Sequence, residues 1–168
     1  MQTLVVALVL TRLDYENATL AGITGQLLDK LQSVLNAAAW LVFLSRKYDH
    51  VTPLLHELHW LCYPERIDFK LAVLVYKCLE GTAPSYLADD FVRVANIENR
   101  RQLRSGSTIK LVVPRVRRST IGGRAFPVIA ARLWNSLPSQ VTASSSIAAF
   151  KRNLKTYLFR RGYGLSRP

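Results

Sequence analysis

The paired aspartates Asp89 and Asp90 stand in the stretch "PSYLADDFV", behind Ala88 and between Leu87 and Phe91. Two adjacent carboxylates behind a small residue can hold a pair of divalent ions for phosphoryl transfer. That chemistry needs the pair at the turn of a β-hairpin, facing a third carboxylate on another strand. Here a helical pattern, Gly81 and Pro84 come before the pair, and Phe91-Val92-Arg93 follows without a strand run. The aspartates therefore read as acids near the N-terminus of a short helix, where the helix dipole favours negative charge.

Other groupings are weaker. His56, His59 and Cys62 are spaced by three, with His50 nearby. These are zinc-ligand types, but a tetrahedral site wants a fourth ligand. "HELH" also lacks the His-Glu-x-x-His spacing that puts both imidazoles on one metal. Trp60 and its apolar neighbours make this a packed helix face. No Gly-x-Ser-x-Gly elbow occurs, and Gly122-Gly123-Arg124 is too short for a phosphate-binding loop and reads as a turn before a helix. No catalytic residue, metal or cofactor is expected. Cys62 and Cys78 set no disulfide framework and read as reduced, mostly buried thiols.

Charge carries the strongest physical signal. The 168 residues have a formal net charge of +12. Met1 to Val92 holds seven basic and ten acidic residues, hence −3, whereas Arg93 to Pro168 holds sixteen basic residues and the single acid Glu98, hence +15. So large an excess repels itself and calls for a polyanionic partner. Nucleic acid is the first expectation and an anionic membrane surface the second. Arg115, Arg117 and Arg118 in an extended stretch could track a phosphate backbone, and Arg124 follows close behind. Lys151, Arg152, Lys155, Arg160 and Arg161 could form a second basic patch. Tyr157, Phe159 and Tyr163 lie among them, with Tyr157 read as core and the others able to stack on unpaired bases.

The elements that must position these residues are mainly helical. Leu4 to about Tyr15 is one expected helix. Leu27, Leu28, Leu31, Val34, Leu35, Ala38, Leu41 and Val42 fall at steps of three and four, an apolar stripe of about five turns. Thr24 is its expected cap, and Arg46-Lys47 complement its negative end. A short helix is expected after Pro53. Pro64, Glu65, Asp68, Lys77 and Gly81 punctuate a helix apolar nearly all round, the mark of a central core helix. Ile109 to Val113 is rich in β-branched residues and reads as a strand ended by Pro114. A helix over Arg124 to Leu137, stopped by Pro138, and a last helix capped by Ser144-Ser145-Ser146 complete the chain. The expected fold is mainly α. A bundle-like helical core covers about 1–92, a basic linker or loop 93–108, and a basic segment with one or two short strands and two helices 109–161. A frayed tail covers 162–168. The apolar run Leu4 to Leu10 lacks a basic leader and a cleavage site, and is far shorter than the roughly 20 residues a membrane span requires. The expectation is an intracellular protein of nucleus or cytoplasm, not secreted and without a membrane span.

Eight stretches, in order, extend this reading: "LVLTRLDYENATLAG", "LLDKLQSVLNAAAWLV", "HVTPLLHELHWL", "RIDFKLAVLVYKCLEGTAPSYL", "RQLRS", "LVVPR", "GGRAFPVIAARLWNSLP" and "FKRNLKTYLF". Together, from about Leu4 to Phe159, they resemble the region after the polymerase palm in reverse transcriptases of jockey-like, LINE-type non-LTR retrotransposons. The chain departs from that family at Glu16 (usually Cys), Trp40 (commonly Arg), Ile121 (often Tyr) and Ala131 (usually Pro). The resemblance implies thumb-like helices with a C-terminal tail that help to hold template RNA and primer DNA against the palm of the intact polymerase. The family's catalytic aspartates and its endonuclease belong to segments upstream of this region. The implied product is a truncated, non-catalytic piece of an RNA-directed DNA polymerase that keeps RNA or DNA binding. The alternative is a protein-interaction or inert product of a decayed element copy.

Overall fold

The computed structural model describes residues 2–15, 17–96, 109–117 and 122–164. They are mainly α-helical. In chain order the helices are α1 (Gln2–Val5), α2 (Thr11–Asp14), α3 (Gly25–Phe43), α4 (Val51–Glu57), α5 (Tyr63–Leu79), α6 (Ser85–Ala88), α7 (Phe126–Ser136), α8 (Ser139–Thr142) and α9 (Ile147–Gly162). A π-turn over Val6–Leu10 joins α1 to α2, so the expected first helix is one rod with a bulge. The Thr11 N–H reaches back five residues to the Val6 carbonyl, and the Thr11 hydroxyl donates to the Ala7 carbonyl. Short 3₁₀ turns cover Asn17–Leu20, Val94–Asn96 and Gly122–Arg124. The α4 helix begins two residues before Pro53, which sits in its first turn and so breaks no hydrogen bond. Pro138 stops α7 and also stands at the N-cap of α8, a turn of helix the periodicity did not announce.

The chain gathers into two compact units, Met1–Phe69 with Lys155–Pro168, and Lys70–Leu154. This division differs from the expected boundaries near 92 and 108. Both α5 and α9 give residues to each unit, and sequence punctuation between helices cannot show that.

In the first unit Val5, Leu10, Leu13, Leu35, Ala38, Leu55, Trp60, Tyr63 and Ile67 form the core. Each fully buried aliphatic or aromatic side chain contributes about 1.5–3 kcal/mol. Its polar ties are few and specific. Arg66 clamps Asp14 with two bonds, Nε to Oδ1 at 2.9 Å and Nη2 to Oδ2 at 2.6 Å. The Tyr63 hydroxyl donates to the Leu13 carbonyl at 3.1 Å, and the Tyr63 N–H to Gln32 Oε1 at 2.7 Å. The α3 stripe is narrower than expected. Leu35, Ala38 and Ala39 are buried, but Leu27, Val34 and Leu41, seven residues apart, are exposed. Thr24 takes the N-cap position of α3 without a side-chain cap bond.

The second unit is built on Leu71, Ala72, Val75 and Tyr76 of α5, Val128, Ala131 and Trp134 of α7, and Phe150 of α9, all buried. Phe150 stacks between Tyr76, at 4.5 Å between ring centroids, and Trp134, at 5.7 Å. Ser146 caps α9 by accepting the Ala149 N–H at 3.2 Å, as the serine run implied. No strand forms among the described residues. In its place Arg93 and Leu111 make one isolated antiparallel bridge. The Leu111 backbone is taken by the Asn135 side chain, which accepts its N–H at 2.8 Å and donates to its carbonyl at 2.9 Å. A side-chain amide thus replaces a neighbouring strand, and the β-branched run never needs a sheet.

Helices α3, α4 and α5 end in the same way, with a left-handed residue whose successor bonds back to the last turn. Ser45 N–H meets the Trp40 carbonyl, Trp60 N–H the Leu55 carbonyl and Thr82 N–H the Lys77 carbonyl, at 3.0, 3.0 and 2.9 Å. The left-handed residues are Leu44, His59 and Gly81, so only α5 uses the residue for which that conformation is free of strain.

Candidate nucleic-acid interface

The basic candidates separate once their surroundings are seen. Arg115 and Arg117 are exposed on an extended stretch, and Arg124 is exposed at the end of the Gly122–Arg124 turn. What brings them together is a close approach of backbone to side chain. A Cβ at Gly122 would lie 2.9 Å from the Val116 Cβ, closer than real Cβ atoms come. Glycine is therefore required where Gly122 approaches Val116. Arg115 and Arg117 adjoin Val116, and Arg124 lies two residues from Gly122. With Cα steps of about 3.8 Å, the three Cα atoms fall within roughly 15 Å of one another. None of the three makes an ion pair among the described residues. Arg118 lies outside the described residues. The Gly122-Gly123 pair is the expected turn, and Arg124 belongs to it rather than to the helix that follows.

On α9 the sequence reading divides. Phe150, Leu154 and Leu158 recur every four residues and are wholly buried, while Lys151, Arg152, Lys155 and Arg160 are exposed. Arg161 is half-buried and bridges Glu65 at 3.4 Å and Asp68 at hydrogen-bonding contact. Burial opposes its charge, but the bond to Asp68 and the nearby Glu65 outweigh that and raise its pKa. Its charge is compensated internally, whereas exposed Arg160 makes no ion pair among the described residues. The aromatic candidates are also occupied. Tyr163 donates its hydroxyl to the Trp60 carbonyl at 2.6 Å, and its ring packs 4.6 Å from Phe159. Phe159 lies 5.0 Å from His56 and stacks on His59 at 6.0 Å. So the expected frayed tail is pinned as far as Tyr163, because an aromatic ring with a satisfied hydroxyl fills the edge of the core. Residues 165–168 lie outside the described set.

The remaining chemical groupings dissolve. Asp89 is the C-cap of α6, and Asp90 follows it, so the pair sits at the wrong end of that helix for the expected dipole benefit. Both are exposed and solvated. Among the described residues no group of three His, Cys, Asp or Glu is placed to hold a metal. His56 and His59 face Phe159, and Cys62 lines a cavity of about 340 Å³. That cavity is lined by Gln32, Asn36, Asp29 and Tyr163 among others, and by no cation, so it suits no phosphate. Burial pushes the Cys62 thiol up, with the Tyr163 hydroxyl pulling the other way, and burial also raises Cys78, so neither is an activated nucleophile. No described helix is long and apolar enough to cross a membrane.

Exposed cations outside the candidate set include Lys110, Arg132 on α7, and Arg46 and Lys47 beyond α3. Arg46 and Lys47 carry a plain signal as the one adjacent cation pair before Val92. Comparison of the chain with protein-family models, with curated proteins and with solved structures finds no match.

Proposed function

We propose that the chain is a non-catalytic binding segment equivalent to the post-palm, thumb-and-tail region of a non-LTR retrotransposon reverse transcriptase, and that it binds RNA or DNA through its basic half. The observation that supports this most is the Val116–Gly122 contact, which holds Arg115, Arg117 and Arg124 together, exposed and without carboxylate partners among the described residues. Such cations bind phosphates by releasing counterions, a gain that weakens as salt rises. Lys151, Arg152, Lys155 and Arg160 add exposed charge on α9.

A second reading, a protein-contact segment, has its own support. Leu27, Val34 and Leu41 repeat every seven residues on α3, with Leu44 three further on, and all four are exposed. A repeat of this kind is a seam for another helical surface, and in the family context that surface is the palm. The two readings are compatible in one polypeptide.

The test is titration of the purified chain with labelled RNA and DNA over a range of salt. The proposal expects affinity that falls linearly in a log–log plot. A weak affinity equal to that of an unrelated protein of the same charge would refute it. Primer extension with added magnesium is expected to give no incorporation; metal-dependent incorporation would overturn the non-catalytic assignment.

A further inference from the structure

The Arg46–Asp49 turn in the first unit presents an aromatic ring in an unusual way. Tyr48 is 92% exposed, yet the turn that carries it is fixed at several points. The Asp49 N–H donates to the Arg46 carbonyl at 3.0 Å, which makes Lys47 and Tyr48 the two central residues of a β-turn. The Asp49 Oδ2 accepts the Arg46 N–H at 2.7 Å. The Trp40 indole donates to the Asp49 carbonyl at 3.1 Å and ties the turn to the last turn of α3. The Ser45 N–H bond to the Trp40 carbonyl fixes the approach to it. A ring on so constrained a backbone gives up little conformational freedom when something stacks on it.

The neighbours of the ring define what that would be. Arg46 and Lys47 are both exposed, as is His50. Asp49 is the one acid in the turn, and its carboxylate is engaged by the Arg46 N–H. An apolar partner would meet two cations beside the ring, whereas a nucleotide brings a π-face for Tyr48 and phosphates for Arg46 and Lys47. Aromatic rings flanked by cations are the means by which proteins hold unpaired bases without reading sequence. From this geometry we infer that the Arg46-Lys47-Tyr48 turn is a stacking site for an unpaired nucleotide of single-stranded RNA or DNA. It uses none of the arginines gathered at Gly122, and it rests on the reading that the chain binds nucleic acid.

The experiment measures fluorescence anisotropy of a labelled oligouridylate and of a labelled blunt duplex of equal charge, with the full chain and its variants. Tyr48→Ala is expected to weaken binding to the single strand by roughly 5- to 100-fold, the loss typical of one base stack, and to leave the duplex unchanged. Tyr48→Trp is expected to restore binding, and Tyr48→Leu, apolar but not aromatic, is not. Because the side chain is exposed, none of these changes disturbs the core. If the parent chain binds and Tyr48→Ala has no effect, or weakens single strand and duplex alike, the stacking site is refuted while the basic-half reading stands. If Tyr48→Ala instead abolishes self-association with binding intact, the turn is a protein contact and the inference fails. If the parent chain binds neither probe better than a control basic protein, both readings fall together.

Discussion

The arginine cluster gives the most quantitative prediction, because one arginine of the same chain serves as its control. Arg115, Arg117 and Arg124 are exposed and lack ion-pair partners among the described residues, whereas Arg161 lies between Glu65 and Asp68. Each phosphate contact on a single strand contributes about −0.7 to the slope of log K against log salt. Replacing the three arginines with Ala removes three contacts and should flatten the slope by about 2. Over a fourfold change in salt, about 50 to 200 mM, three contacts account for roughly a 20-fold change in affinity. The parent's advantage over the variant should therefore be largest at the low-salt end and shrink as salt rises. Arg161→Ala should leave the slope unchanged. Its cost is instead stability, about 1 kcal/mol or somewhat more for a partly buried pair of ion contacts. Filter binding or anisotropy across the salt series, with thermal melts of each variant, separates the two effects. An unchanged slope in the triple variant, or a slope flattened equally by Arg161→Ala, would refute the reasoning. Gly122→Ala tests the geometry itself. It should scatter the cluster and flatten the slope without removing a charge, since its Cβ would collide with Val116.

Three predictions concern the fold. Leu44 is 79% exposed and left-handed, with φ of 52°, so Leu44→Gly should stabilise the chain by about 0.5–1 kcal/mol in denaturant titration, while Gly81→Ala, with no steric contact, should cost about 1 kcal/mol from backbone strain alone. Asn135→Ala should cost about 2–4 kcal/mol by stranding the Leu111 N–H and carbonyl, and Asn135→Asp, which keeps the acceptor but sets a carboxylate oxygen against the Leu111 carbonyl, should not rescue it. Burial raises Cys62, Cys78 and Tyr163 above their ordinary values of 9.0, 9.0 and 10.0, so the folded state keeps protons that the unfolded chain releases. Stability is then complete below about pH 9 and falls as pH climbs beyond it; melting temperatures flat across pH 8 to 11 would contradict this, and Tyr163→Phe should remove its share of the slope.

Much of the secondary structure was legible because it depends on neighbours along the chain. The helix that the steps of three and four announce at α3, the proline and glycine that bound α5, and the Ser146 cap of α9 are local facts, and the structure keeps them, although the buried face of α3 is narrower than the stripe. The imbalance of charge between the two halves is likewise fixed by composition. What failed depended on distant partners. Ile109 to Val113 has strand propensity, but Asn135, more than twenty residues on, satisfies the backbone of Leu111 with a side-chain amide, so no ladder forms. Tyr163 looked like a loose aromatic in a frayed tail until the Trp60 carbonyl held its hydroxyl.

The sequence by itself determined that this is a helical protein with its positive charge at the back, since periodicity and residue counts need no partner to be read. Only the tertiary structure decided which charges face water. Arg160 and Arg161 are neighbours in sequence, but helical rotation turns one outward and brings the other against Glu65 and Asp68. A charge's availability is set by what lies within a few ångströms, and that is a property of the packed chain, not of the residue.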